Sequence, residues 1–182
     1  MRLRGLLATI LVGTAPITAT ACSSEHPQPP ERLTACELVT PRQVATALGG
    51  PVGEPARAEA ATDTLAGRSG CAWSLADGAR AALVELVRTK DMSSSVRRTG
   101  FSAAARFNAV VNQHPTDELT VADGRVGDRS IYVEENATLH VLSGRSYLTF
   151  EVAATPPSAV RPIALDLARR AIDHLRRVDP AD

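Results

Sequence analysis

The sequence predicts an α+β fold, an antiparallel sheet with helices packed against it in a single domain. Three observations carry that prediction. In Tyr147–Ala153, Leu148, Phe150 and Val152 point one way while Tyr147, Thr149 and Glu151 point the other, the period of a strand in a sheet with one covered and one wetter face. From Ala159 to Arg177, Leu165, Ala168, Ile172 and Leu175 recur at helical spacing and make an apolar stripe. Helical and strand-like segments also alternate as helix, hairpin, helix, three-strand meander, helix, an order that suits an α+β domain with helices on one face of the sheet or on both.

Each element has its own signals. Thr40 is a good N-cap, Pro41 suits the first helical position, and Gln43 completes a capping box with Thr40. Val39 and Val44 are spaced as a hydrophobic staple, and Gly49-Gly50-Pro51 stops the helix. Residues 52–69 are rich in Ala, Gly and Thr with little period and read mostly as loop. Cys71–Leu75 and Ala81–Arg88 read as the two strands of a hairpin around Ala76-Asp77-Gly78. A polar linker, Lys90–Ser95, leads to a second helix over about Val96–Val111, with Ala103, Phe107, Val110 and Val111 on one face. Thr120–Ala122 reads as a short strand before the meander Arg129–Glu134, Thr138–Leu142 and Tyr147–Ala153, whose last two strands join through Ser143-Gly144-Arg145. Pro156-Pro157 breaks the chain, and Ser158 is placed to cap the last helix. Asp166–Arg170 and Asp173–Arg177 are i,i+4 pairs in the favourable orientation on that helix.

The N-terminal segment reads as an address. Arg2 and Arg4 precede an apolar run, Leu6–Val12, of signal-peptide length. Pro16 and three threonines interrupt it well short of the roughly 20 apolar residues of a membrane span. Ala19-Thr20-Ala21-Cys22 closes the segment in the layout of a bacterial lipoprotein signal, with Cys22 as the residue expected to be lipidated (palmitate among its acyl chains) and to become the new N-terminus. The alternative is an ordinary secretory signal cleaved after Ala21, since Ala19-x-Ala21 fits that rule as well. Residues 1–21 are thus read as signal peptide, 22–34 as a polar, proline-rich tether, 35–178 as the domain and 179–182 as a C-terminal tail. The tether lacks the apolar surface to order itself, so its role is reach.

Composition narrows the function classes. The 20 basic and 20 acidic residues give zero net charge, which argues against a nucleic-acid partner. Aromatics are 3 % of the chain, so the core is expected to be aliphatic. Besides Cys22 the chain has Cys36 and Cys71, and an exported domain most simply pairs them. Two unpaired thiols are the alternative. No His or Cys nearby completes a zinc spacing, so no metal and no cofactor are expected.

No catalytic motif is visible. Gly-x-Ser-x-Gly is absent, and Gly49-Gly50-Pro51-Val52-Gly53 lacks the Lys-Ser/Thr of a phosphate loop. Of the histidines, His26 lies in the tether, His114 and His174 near helix ends, and His140 in mid-strand. A surface or capping role is expected for each. Glu134 and Glu135 are adjacent and would face opposite sides of a strand, and Asp123 and Asp128 supply too few oxygens for calcium. The arginine pairs 97-98, 169-170 and 176-177 read as solvated faces.

The opening Cys36-Glu37-Leu38-Val39-Thr40, a short helix ending Leu48-Gly49, and then Cys71-Ala72-Trp73 resemble the small exported lipoproteins of high-GC Gram-positive bacteria that carry domain of unknown function 3558. Val126-Gly127-Asp128, the strands around Val141 and Leu148–Val152, and the Ala-rich terminal helix are similar too. The resemblance spans most of residues 35–177. It implies an exported location and the α+β fold, and supplies no activity.

These readings converge on a non-enzymatic lipoprotein, anchored by lipid on the extracytoplasmic side of the cell membrane and binding an envelope protein, glycan or lipid. Trp73, Tyr132 and Tyr147 are the candidate contact residues, because aromatics are rare here and favoured in interfaces. Trp73 either packs under a helix or lines a cleft. A carrier of a hydrophobic ligand is the alternative and requires a closed apolar pocket between sheet and helices. A hydrolase is the remote one; it requires a serine or paired acids beside His140 in a cleft.

Overall fold

The computed structural model describes residues 32–75, 80–154 and 156–180. Cys22, the leader and the tether up to Glu31 lie outside the described residues, as does the Ala76-Asp77-Gly78 turn. The chain from Arg32 onward folds as one unit.

The alternation in Tyr147–Ala153 becomes one strand of a six-stranded antiparallel sheet. In chain order the strands are β1 (Ala56–Arg57), β2 (Arg68–Ser74), β3 (Arg80–Arg88), β4 (Arg129–Val133), β5 (Thr138–Ser143) and β6 (Ser146–Val152). They lie side by side as β1-β2-β3-β6-β5-β4. The helices are α1 (Ala35–Leu38), α2 (Pro41–Leu48), α3 (Ser94–Arg98), α4 (Ala103–Gln113) and α5 (Val160–Val178). They cover both faces of the sheet.

On one face α1, α2 and α5 close over Cys71 and Trp73 of β2, Val84 and Leu86 of β3, Leu139 and Val141 of β5, and Leu148 and Phe150 of β6. All four predicted stripe residues of α5 are buried in this core. Leu and Ile side chains buried this fully contribute about 1.5–3 kcal/mol each through the water they leave behind. The Cys36–Cys71 disulfide joins α1 to β2 beneath them. At the far end of α5, Asp179 pairs with Arg88 at the end of β3 and with Lys90, while Asp91 meets Arg88 at 3.1 Å.

On the opposite face α4 lays Phe107 against Ile131, Val133 and Tyr147, with Val87 and Met92 alongside. At 1.5 Å per residue the 11 residues of α4 span about 16 Å, against about 28 Å for the 19 of α5. One helix blankets its face. The other covers part of its own.

The thirty-four residues between Cys36 and Cys71 hold the best-predicted helix and the least-predicted segment. Thr40 accepts from the Gln43 backbone N–H while the Gln43 side chain accepts from Thr40, and Gly49 ends α2 in the left-handed region at φ +72°. Residues 52–69 are mostly loop, as expected, and also contribute the two-residue edge strand β1 and the first two residues of β2. A two-residue strand has no period to read, so its pairing with Cys71 and Ala72 was invisible locally.

Other expectations need correcting. The helix expected over 96–111 is two helices, broken at Gly100 (φ +83°) and restarted by Ser102, whose hydroxyl accepts from the Ala105 N–H. The two caps compete with continuous helix and win. Val121–Gly124 is a turn rather than a strand, closed by the Asp123 carboxylate accepting from Thr120. Ser158 sits in a 3-10 turn and does not cap α5, whose N-cap position is Ala159. Asp166–Arg170 forms at 2.9 Å, but Arg177 bonds the Asp173 backbone carbonyl instead of its carboxylate.

Candidate functional site

The half-covered face is where polar side chains collect. Register places them. Glu85 of β3 lies opposite Thr149 of β6, which lies opposite His140 of β5, and Glu151 lies opposite Thr138. Because side chains alternate along a strand, Glu85, Thr149, Glu151, Thr138, His140 and Tyr147 all emerge on the α4 side. Above them α4 supplies Arg106, Val110 and Gln113 at helical spacing, on one face of the helix. Asn136, from the turn between β4 and β5, closes one end. Together they border an open cleft of about 370 Å³.

The floor of the cleft is the His140–Tyr147 pair. Nδ1 of His140 is 2.7 Å from the Tyr147 hydroxyl, and the two rings lie nearly parallel. Phe107 meets Tyr147 edge to face, and Arg106 lies over the ring, 5.6 Å from its centre. Burial, then the nearby charges of His114 and Arg106, pushes His140 down from 6.5 to about 4, so its imidazole is neutral at ordinary pH. Burial pushes the Tyr147 phenol up to about 12. Glu85 is also raised by burial, with Arg68 and Arg106 pulling it back; these guanidiniums stand 4.0 and 3.7 Å from its carboxylate.

This arrangement corrects the expected surface role of His140, which is 9 % exposed. The missed signal was cross-strand. Counting back from the Ser143-Gly144-Arg145 connection pairs Leu142 with Tyr147 and puts His140 on the same face. His114 does end a helix, as expected, at the C-terminus of α4.

The three aromatic candidates separate. Trp73 is fully enclosed in the core on the face that α1, α2 and α5 cover, so the cleft-lining alternative for it falls; its indole N–H has no hydrogen-bond partner among the described residues. Tyr132 is 4 % exposed and packs into that core with Arg161 against its ring. Neither presents a ring to a partner. Tyr147 alone of the three lines the cleft. Cys36 and Cys71 are joined as the simplest reading required, and Cys22 lies outside the described residues.

The side chains bordering the cleft can donate and accept hydrogen bonds, and they include one arginine and two glutamates. No serine is among them. Among the described residues no three His, Cys, Asp or Glu side chains gather closely enough to hold a metal ion, and no helix is long and apolar enough to cross a membrane.

In class, then, this is an α+β module with a helix-roofed polar cleft on one face of its sheet. No known family model, curated protein or solved structure matches the chain. The resemblance to exported lipoproteins with domain of unknown function 3558 therefore rests on the sequence motifs.

Proposed function

We propose that the chain is a cell-envelope lipoprotein, held on the outer side of the membrane through lipid on Cys22, whose folded domain binds a polar ligand in the cleft between α4 and β3-β6-β5. The observation that carries this reading is the concentration of hydrogen-bonding side chains around one 370 Å³ cleft, in a domain whose other face is sealed by aliphatic packing. The volume falls within the usual range of small-ligand sites, about 300–1,000 Å³. The internal disulfide fits an oxidising compartment, in agreement with an exporting leader. A hydrophobic-ligand carrier is disfavoured. The space between α5 and the sheet is filled by side chains such as Phe150, Leu148 and Leu167, and the cleft on the other face is polar and open.

Two measurements test the two halves of the proposal. Cys22→Ala is expected to move the protein from the membrane fraction to the medium; unchanged fractionation defeats the anchor. A photoreactive side chain at Gln113, exposed at the mouth of the cleft, is expected to capture a ligand from native envelope, while the same group at Arg169 on α5 captures none. Equal capture from both positions defeats the cleft.

Hydrolysis is a second reading, because Glu85 and Glu151 share the cleft with His140 and the Glu151 charge contributes to the rise of Glu85. Burial raises Glu85 overall, in the direction of a proton donor, while the two guanidiniums beside it oppose that rise. Turnover of a chromogenic glycoside that is abolished by Glu85→Gln would replace binding with catalysis.

A further inference from the structure

The cleft has a chemical preference, and it follows from two features: its glutamates are offset by arginines, and the rest of its polar lining is neutral hydrogen-bonding groups.

Glu85 and Glu151 are the acids of the cleft. Arg106 answers Glu85 from α4, and Arg68, which does not border the cleft, answers it from β2, so two arginines offset the two glutamates. Such a balanced set gives little net attraction to an ionic ligand. What remains is a group of neutral donors and acceptors.

The hydrogen bonds show part of how that group is arranged. Nδ1 of His140 is engaged by the Tyr147 hydroxyl 2.7 Å away, and Arg106 lies over the Tyr147 ring. The other ring nitrogen of His140, Nε2, donates or accepts according to the tautomer. Thr138 gives its own hydroxyl proton to the Asn136 carbonyl, so its oxygen faces the cleft as an acceptor. The side-chain amides of Gln113 and Asn136 each offer both a donor and an acceptor.

We propose that the cleft takes an uncharged, hydroxyl-rich ligand, one or two sugar units of an envelope glycan, with the His140 imidazole and the Gln113 and Asn136 amides as its hydrogen-bond partners. Each sugar hydroxyl both donates and accepts, which matches mixed neutral partners better than it matches a wall of one sign. The open mouth of the cleft lets a longer chain continue beyond the bound units. The proposal rests on the binding-cleft reading above.

Saturation-transfer NMR on the full chain separates the two. Three probes are compared: N,N′-diacetylchitobiose as the neutral sugar, spermidine as the cation and glucose 6-phosphate as the anion. The neutral sugar is expected to bind, with affinity falling about tenfold in His140→Phe and about threefold in Gln113→Ala. Gln113 and Asn136 are exposed, so Gln113→Ala and Asn136→Ala keep the test decisive even if His140→Phe fails to fold. Sugar binding indifferent to both exposed variants overturns the proposal. A charged probe that binds more tightly, and that Gln113→Ala weakens, overturns the ligand class while keeping the cleft as a binding site. Failure of all three probes at millimolar concentration overturns both.

Discussion

The two faces of one sheet have been put to opposite uses. Leu148 and Phe150 look down onto α5, where nineteen residues of helix, two shorter helices and a disulfide exclude water. Thr149 and Glu151, their neighbours along the same strand, look up into a cleft that α4 only partly roofs. Successive residues of β6 therefore answer to different physics: volume and close packing on one side, hydrogen-bond satisfaction on the other. The lesson is that the period-2 backbone lets stability and recognition be adjusted almost independently.

The largest expected effect tests the sealed face. Phe150→Ala should destabilise the fold by about 3–5 kcal/mol in urea titration, since a fully buried ring would leave a cavity among Leu139, Val84 and their neighbours. A loss below 1 kcal/mol would mean that this face is not the main store of stability. Replacing Cys36 and Cys71 together by Ala should cost about 3–4 kcal/mol, from the closure entropy of a crosslink 35 residues apart. Near-neutral behaviour would show that helix packing alone holds α1 on β2.

The next effect belongs to the polar face and is read by pH. His140 protonates near 6.5 when unfolded and only near 4 when folded, so the unfolded chain binds more protons in between. Stability should fall by about 3 kcal/mol as pH drops from 6.5 to 4, and His140→Phe should remove most of that slope. The sign is opposite at the alkaline end: Tyr147, raised from 10 to about 12, stabilises below pH 10 and loses that contribution as pH rises through 12. A pH slope unchanged in His140→Phe would place the sensitive group elsewhere. The smallest expected effect is that of Gln113→Ala, within about 0.5 kcal/mol in stability because the side chain is exposed. A larger loss would show the cleft mouth to be part of the fold's support, not a surface kept for a ligand.

How far the sequence could be read follows the same division. The apolar face announces itself locally: the stripe of α5 and the alternation of Leu148, Phe150 and Val152 each sit within one element and need no partner to be recognised. The cleft is non-local. His140 is ordinary in its own strand and becomes notable only when β5 pairs with β6 and α4 lies across both. Arg106 and Gln113 likewise appear as solvated helix residues until the sheet is beneath them. Tyr147 was singled out for its rarity, and that cue found one member of the group without the rest. Trp73 was singled out by the same cue and proved to be core, because an aromatic residue's rarity says nothing about which face of β2 it occupies. The helix break at Gly100 escaped notice because Val96 and Ala103 keep helical phase across it.

The Cys36–Cys71 bond also sets the mechanics of the domain. Tension applied to the chain on the N-terminal side of Arg32 reaches Cys36 and passes through the covalent bond directly into β2, the second strand from one edge of the sheet. The intervening segment, including α2 and β1, carries none of that load. Its 35-residue separation corresponds to about 120 Å of extended chain that a pull cannot release. The crosslink thus turns a peelable N-terminal segment into a fixed handle on the sheet.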